Sequence, residues 1–287
     1  MAQEQNSVVI TGATTGIGFA IAEHLANNGW LVFPGYRSDD DARKLQKLGV
    51  RVHPLKMDVT DRATLEAARD AAETHLGDRR LTGLVNNAGI AKLAPLVLQD
   101  IEEFPSHLDI NAVGALRASQ VFGDLLGMDA DLQGPPGRIV TITSMGGEIA
   151  SPFLGAYTAS KHAAESISDS LRRELVVYGI DAIVVGPGSV KTPIWQKAKD
   201  ADAATTFSDT RWGKPIRAFL DGMIEGGENG LEPEEVARVV ETALIARNPK
   251  ARYAPVPNKL RSYILPKLLP KRFVDWGFWS KYEFPRT

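Results

Sequence analysis

Short runs of valine, isoleucine and leucine alternate with longer amphipathic stretches from Ser7 to about Pro187. The runs SVVIT, WLVFPGY, VRVHPLKMDV, LTGLVNN, GRIVTITS and IDAIVVGPG are rich in consecutive apolar residues, the mark of strands buried on both faces. Between them GIGFAIAEHLANNG, DDARKLQKLG and TDRATLEAARDAAETHL read as helices, and long helices are expected over roughly Asn111 to Leu126 and Leu154 to Tyr178. Strands separated by helices need crossovers. The pattern predicts one α/β domain, residues 1–257: a doubly wound parallel sheet of about seven strands with helices on both faces.

Beyond Gly186 the alternation breaks. The polar stretch SVKTPIWQKAKDADAATTFSDTRWGKP is long for a connection, and it predicts a substrate loop at about 190–215. A helix from Pro233 to Arg247, opened by its proline, and a last short strand around Arg252 to Pro255 complete the domain. Residues 258–287 form a basic and aromatic extension with Trp276, Phe278, Trp279, Tyr282 and Phe284 among Lys267, Lys271, Arg272 and Lys281. Interfacial membrane contact is one reading of that composition. Packing back onto the domain or a neighbouring subunit is preferred, because LLP and PKR interrupt any long amphipathic helix.

Composition narrows the function classes. A formal net charge of -2 over 287 residues gives no field favouring nucleic acid. The absence of cysteine removes disulfides, thiolate nucleophiles and cysteine metal sites, and it fits a reducing cytoplasm. MAQEQNS lacks the features of a signal peptide, and no apolar run reaches the roughly 18 residues that span a bilayer. His24, His53, His75, His107 and His162 are scattered without ligand spacing, so no metal site is expected.

VVITGATTGIGFAIAEHL reads as strand, glycine-rich turn and helix. Gly12, Gly16 and Gly18 would let the backbone approach a pyrophosphate at the helix N-terminus, although a tight turn alone could use the same glycines. The next strand ends in GYRS. Tyr36 stands where an acid would meet a free ribose 2′-hydroxyl, and Arg37 and Ser38 offer donors to a 2′-phosphate. NADP(H) is favoured and NAD(H) is the alternative; Asp39 to Asp41 read as the acidic first turn of the next helix.

YTASK puts a phenol at Tyr157 and an ammonium at Lys161 on one helix face. Many amphipathic helices carry such a pair without chemistry, and Ser144 could be a mere turn former and Asn111 a helix-interior amide. Reduction of a ketone builds negative charge on oxygen, which a proton donor and fixed hydrogen bonds must meet. A tyrosine near its ordinary pKa of about 10 is a slow base at neutral pH, and a cation one turn away, joined by the positive nicotinamide of an oxidised cofactor, would lower that value.

TGATTGIG at Thr11, NNAG at Asn86, Asn111, Ser144, YTASK and PGSVKT at Pro187 occur in order, with Tyr157 13 residues after Ser144. Together they resemble the short-chain dehydrogenase/reductase superfamily, in its compact Rossmann-fold branch. The resemblance implies that Tyr157 exchanges a proton with the substrate oxygen and that Ser144 holds that oxygen. Lys161 would bind the nicotinamide ribose, and Asn111 would support a relay water. The turn would hold the cofactor through Gly12, Thr14, Thr15, Gly16, Ile17 and Gly18. Asp58 and Val59 would line adenine, with Asn87, Ala88 and Gly89 along the adenosine side. Pro187, Gly188, Val190 and Thr192 would hold the carboxamide.

DSLRRELVVYGIDAIVVGPGSVKTPIW is most similar to the branch of retinol and 17β-hydroxysteroid dehydrogenases and their bacterial relatives. That likeness implies a hydrophobic or bulky alcohol or ketone, walled by Met145, Ile149, Phe153, Ile194 and Trp195, and a homodimer or homotetramer built through the long helices. Gly186 departs from the Asn or Glu of many relatives. A catalytically silent NADP(H)-binding regulator is the alternative, though such proteins can lose Tyr or Lys. Epimerases and dehydratases with YxxxK commonly carry a larger C-terminal domain.

Overall fold

The computed structural model describes residues 6–192 and 203–285. Strands β1 (Ser7–Ile10), β2 (Leu31–Tyr36), β3 (Leu55–Lys56), β4 (Gly83–Asn86), β5 (Arg138–Ile142), β6 (Asp181–Val185) and β7 (Arg252–Tyr253) form one sheet in the order β3-β2-β1-β4-β5-β6-β7. Every neighbouring pair is parallel. β1, β4 and the last four residues of β5 and of β6 are buried, as the continuous apolar runs require of strands covered on both faces.

Two apolar layers cover them. On one face Ile21, Ala22 and Leu25 of α1 (Gly16–Asn27) meet Val236, Val240 and Leu244 of the helix Pro233–Ile245 against Val8, Ile10, Val140 and Ile183. On the other, Leu65, Ala68 and Leu76 of α3 (Arg62–Leu76) pack with Phe122 and Leu126 over Phe33, Leu84 and Ile139. α2 (Asp39–Gln46) follows β2, and Ser38 caps it by accepting from Asp41 N.

Departures from the expected elements have local causes. Only Leu55 and Lys56 of VRVHPLKMDV form a named strand, since Pro54 has no N–H for a ladder; Val52 and His53 keep one isolated pairing with Val32. The helix expected over Asn111 to Leu126 is broken: α4 (Glu103–Leu108) leads into a π turn (Asp109–Val113), followed by α5 (Gly114–Val121) and a second π turn (Asp124–Met128) that holds Gly127 at φ 133°. α6 (Gly155–Glu174) runs into a 3-10 turn that stops at Gly179, φ 73°. The helix from Pro233 ends at Ile245, and a capping box of Glu232 and Glu235 opens it.

Of the loop expected at 190–215, residues 193–202 lie outside the described residues, and a helical turn (Ala203–Thr206) then precedes a helix (Gly213–Glu228). The extension folds as helical turns over 260–268 and a helix (Lys271–Lys281), separated at Pro270. Tyr282, Phe278 and Phe284 pack with Phe219, Ile216 and Phe153 in a third apolar cluster on the same chain. Among the described residues no helix is long and apolar enough to cross a membrane.

Gly137 marks how tightly the sheet is set at the end opposite its carboxyl edge: a Cβ there would lie 2.2 Å from the Leu81 carbonyl oxygen and 2.7 Å from Leu126 Cδ2. Gly137→Ala is expected to cost about 1–3 kcal/mol of stability in a urea titration, as overpacking of an interior does. An unchanged midpoint would show that β5 can yield at its start.

Candidate active site

The carboxyl ends of β1, β4, β5 and β6 open into one cleft of about 1780 Å³. The strand order reverses between β1 and β4, the place where open α/β sheets leave a crevice. Gly12 has φ 63°, and a Cβ on it would lie 2.8 Å from Ala88 Cα. A Cβ on Gly18 would meet Asn87 Nδ2 and the Gly12 carbonyl oxygen, both at 2.4 Å. Glycine is therefore required at both positions for space. Thr11 Oγ1 accepts from Asn87 N at 3.0 Å and Ala88 N at 3.1 Å, and Asn87 Nδ2 donates to Gly12 O at 2.8 Å, so NNAG and the glycine turn are one unit.

α1 begins at Gly16 with no side-chain cap from Thr15 and no acidic residue in its first turn. Its N-terminal dipole thus faces the cleft without an internal anion, which suits a pyrophosphate. Thr14, Thr15, Gly16 and Ile17 line the cleft beside it.

At the end of the cleft beside β2, Arg37 is 79% exposed, and its nearest acid is Asp58, 3.9 Å away across the rim. Burial raises the Asp58 pKa, but hydrogen bonds from Thr60, with Arg37 and Arg117 nearby, outweigh it and keep the carboxyl below its usual range. Lys44 adds a cation the sequence reading missed: Nζ donates to Thr14 O at 3.1 Å and lies over the Phe19 ring. Ser38 is not among the cleft-lining residues; its hydroxyl donates to Asp41 Oδ2 at 2.7 Å.

At the opposite end of the cleft Ser144 follows β5 and caps the 3-10 turn Met145–Gly147, its Oγ accepting from Gly146 N at 3.0 Å. Met145 N donates to Pro187 O at 2.8 Å, which ties this turn to PGSVKT. Tyr157 and Lys161 stand on the first turns of α6, and Ser144 hydrogen-bonds the phenol. Lys161 is 5% exposed and its Nζ donates to Ile142 O at 2.9 Å. Pro187, Gly188, Val190 and Thr192 line the cleft above, with Thr192 against Gly16.

Asn111 is 2% exposed in the π turn. Its Oδ1 accepts from Ile90 N at 2.7 Å, and Nδ2 donates to Ile90 O and Ser160 Oγ, each at 2.9 Å. Both amide donors are engaged, leaving one lone pair of Oδ1 for a further donor. Lys161 is close by: a Cβ on Gly89 would lie 3.1 Å from Asn111 Oδ1 and 3.5 Å from Lys161 Nζ.

Burial pushes the Tyr157 phenol up, and the Ser144 hydrogen bond offsets only part of the rise. Burial pulls Lys161 down to about 8, against an opposing pull from Glu165. Desolvation is thus the largest influence at both groups.

Met145 and Ile149 line the cleft. Phe153, at φ 63°, turns instead into the aromatic cluster, 5.6 Å from the Phe219 ring and stacked on Phe284 at 5.5 Å. Ile194 and Trp195 lie outside the described residues. Leu93, Leu154, Phe219, Met223, Phe278 and Tyr282 also line this end. The sequence signal for the last two was the aromatic tail, which no spacing tied to the site.

A family model described as short chain dehydrogenase matches residues 6–203. Over 274 residues the chain is 37% identical to an NADPH-dependent 3-dehydrocapnine reductase of Ornithobacterium rhinotracheale, covering 95% of each. It is 31% identical over 283 residues to retinol dehydrogenase 5 of Mus musculus, covering 93% of this chain and 86% of that one. A variant actinorhodin polyketide ketoreductase solved with NADPH superposes with a TM-score of 0.72 at 27% identity, over 92% of this chain and 100% of that one. A short-chain dehydrogenase from Streptomyces avermitilis shares the fold, with a TM-score of 0.75 at 22% identity over 98% of each chain.

The folded pKa of Lys161, about 8, lies below its ordinary 10.5, so between those values the unfolded chain holds more protons and the folded state gains stability as pH rises. The stability of the wild type relative to Lys161→Met should therefore increase from about pH 8 to about pH 10 in denaturant titrations. A flat difference would mean that the ammonium is not desolvated.

Proposed function

The chain belongs to the short-chain dehydrogenase family, and from that premise we propose that it is an NADPH-dependent reductase of ketones on hydrophobic or bulky substrates, working reversibly on the secondary alcohol. The single observation that carries the reading is the Ser144, Tyr157 and Lys161 cluster at the apolar end of a cleft whose other end is lined by Arg37, with Lys44 bonded to the carbonyl of the lining residue Thr14.

The cradle fits a dinucleotide. Gly12 and Gly18 leave the backbone room that a Cβ would fill, and the uncapped α1 start faces the diphosphate position. Arg37 and Lys44 would balance a 2′-phosphate, while Tyr36 brings no acid to compete. Relatives named as NADPH-dependent, or solved with NADPH, support that choice over NADH. When bound, the nicotinamide supplies the hydride.

The protein's own groups then manage the oxygen. Tyr157, kept protonated by its burial, donates its hydroxyl proton to the carbonyl oxygen as charge builds there. Ser144 Oγ donates a second hydrogen bond to the same oxygen and so fixes the carbonyl. The Lys161 ammonium, anchored on Ile142 O, stabilises the tyrosinate left behind and holds ribose hydroxyls. Asn111 keeps the Ile90 backbone and Ser160 in place beside Lys161. The apolar wall of Met145, Ile149, Leu154, Phe219, Met223 and Phe278 supports a large apolar substituent and excludes water from the oxygen.

Tyr157→Phe is expected to lower kcat by about 1000-fold or more with NADPH affinity within a few-fold, since proton transfer is lost and the cradle is untouched. Near-normal turnover in that variant would remove the acid role. Arg37→Asp should shift the ratio of NADPH to NADH efficiency by about 10-fold or more toward NADH, read from kcat/KM for each cofactor. An unchanged ratio would transfer phosphate recognition to another group.

A further inference from the structure

Gly186, at the end of β6, has no room for a side chain: a Cβ there would lie 2.2 Å from Arg252 Nη2 and 2.8 Å from its Cζ. Its φ is not positive, so the glycine serves space rather than backbone conformation. The guanidinium of Arg252, from β7, occupies that space with its side chain 19% exposed.

Nε, Nη1 and Nη2 of the fork each find an acceptor. Nε donates to the Glu165 carboxylate at 3.1 and 3.2 Å. Nη2 donates to Glu165 Oε1 at 3.1 Å and to the Ser144 carbonyl oxygen at 3.3 Å. Nη1 donates to Tyr263 Oη at 2.6 Å and lies 3.0 Å from Glu148 Oε2. Acceptors at all three nitrogens of a rigid planar fork fix both its position and its charge.

Its acceptors frame the site. Glu165 stands one turn beyond Lys161 on α6 and also accepts from Thr143 Oγ1 at 2.7 Å. Glu148 follows the turn that Ser144 caps; it accepts from Tyr263 and from Lys267 Nζ at 2.5 Å, both on the extension. Two carboxylates and two cations thus balance behind the active-site wall. β7 and the tail are coupled to the residues that would hold the substrate oxygen.

We infer that Arg252 is a positioning residue for the reaction: through a socket that Gly186 opens and Tyr263 closes, it holds the Ser144 backbone and neutralises the carboxylate facing Lys161. The inference rests on the proposed roles of Ser144, Tyr157 and Lys161. Tyr157 and Glu165 approach Lys161 from its own helix, with Arg252 and then Glu148 behind Glu165. The segment 103–113 contributes Asn111, and His107, whose ring is engaged by Glu103 O and Lys92 N. Without the Arg252 cation, Glu165 would hold the Lys161 proton to higher pH; without Glu165, Lys161 would lose it sooner.

The test is the pH dependence of kcat for NADPH-driven ketone reduction by the full chain as wild type, Arg252→Met, Arg252→Lys, Glu165→Gln and Gly186→Ala. Arg252→Met should lower kcat by about 10-fold or more with the KM for NADPH within about threefold, and move the limb near pH 8 upward by about half a unit. Glu165→Gln should move that limb downward. Arg252→Lys should restore the limb more than kcat, because charge returns without the fork. Gly186→Ala displaces the guanidinium without deleting it, so it reads the role even if Arg252→Met does not fold, and it should lower kcat. A limb unmoved in both the Arg252→Met and Glu165→Gln proteins, or full activity in Gly186→Ala, would overturn the inference. Retained turnover in Tyr157→Phe would instead sink the underlying reading, whatever the Arg252 variants do.

Discussion

One buried ammonium sets the terms for the rest of the site. Lys161 is removed from water at the centre of the fold, and a desolvated cation survives there only with close compensation. The Ile142 carbonyl oxygen gives it a direct acceptor, Glu165 gives it a field, and Arg252 keeps that field from being excessive. Strand β5, helix α6, strand β7 and the C-terminal extension are thereby held to one geometry. The same dehydration pushes the Tyr157 phenol further above its ordinary range, the direction that suits the proposed role of proton donor.

The parallel sheet makes this arrangement accessible. Because every neighbouring pair runs in the same direction, the chemistry-bearing ends of β1, β4, β5 and β6 gather on one edge, and the helices that return the chain cover both faces. The cleft is consequently divided by charge: cations and free helix N–H groups lie at one end, apolar walls at the other. A dinucleotide and an apolar carbonyl compound complement those two ends.

Most of the sheet was legible in the sequence because strands buried on both faces leave continuous apolar runs, and the glycine turn and YTASK because their spacings are local. β3 was overread, since Pro54 denies it a ladder. The break in the helix around Asn111 escaped because π turns leave no periodic trace, although Gly114, Gly123 and Gly127 hinted at it. The Arg252 socket is built from contacts 11 to 115 positions apart in sequence, among Ser144, Glu148, Glu165, Gly186 and Tyr263. No window of sequence contains that contact; the one visible sign was a glycine at 186. Phe153 was misjudged because its positive φ turns the ring toward the tail rather than the cleft.

The most direct measurement of the central claim is cofactor oxidation by the purified protein across a panel of small, aromatic and long-chain or polycyclic ketones, with NADPH and NADH compared under the same conditions. The account predicts turnover that rises with the apolar bulk of the ketone and favours NADPH. Tight NADPH binding without oxidation on any member of the panel would contradict it and point to a nucleotide-binding regulator on the same fold.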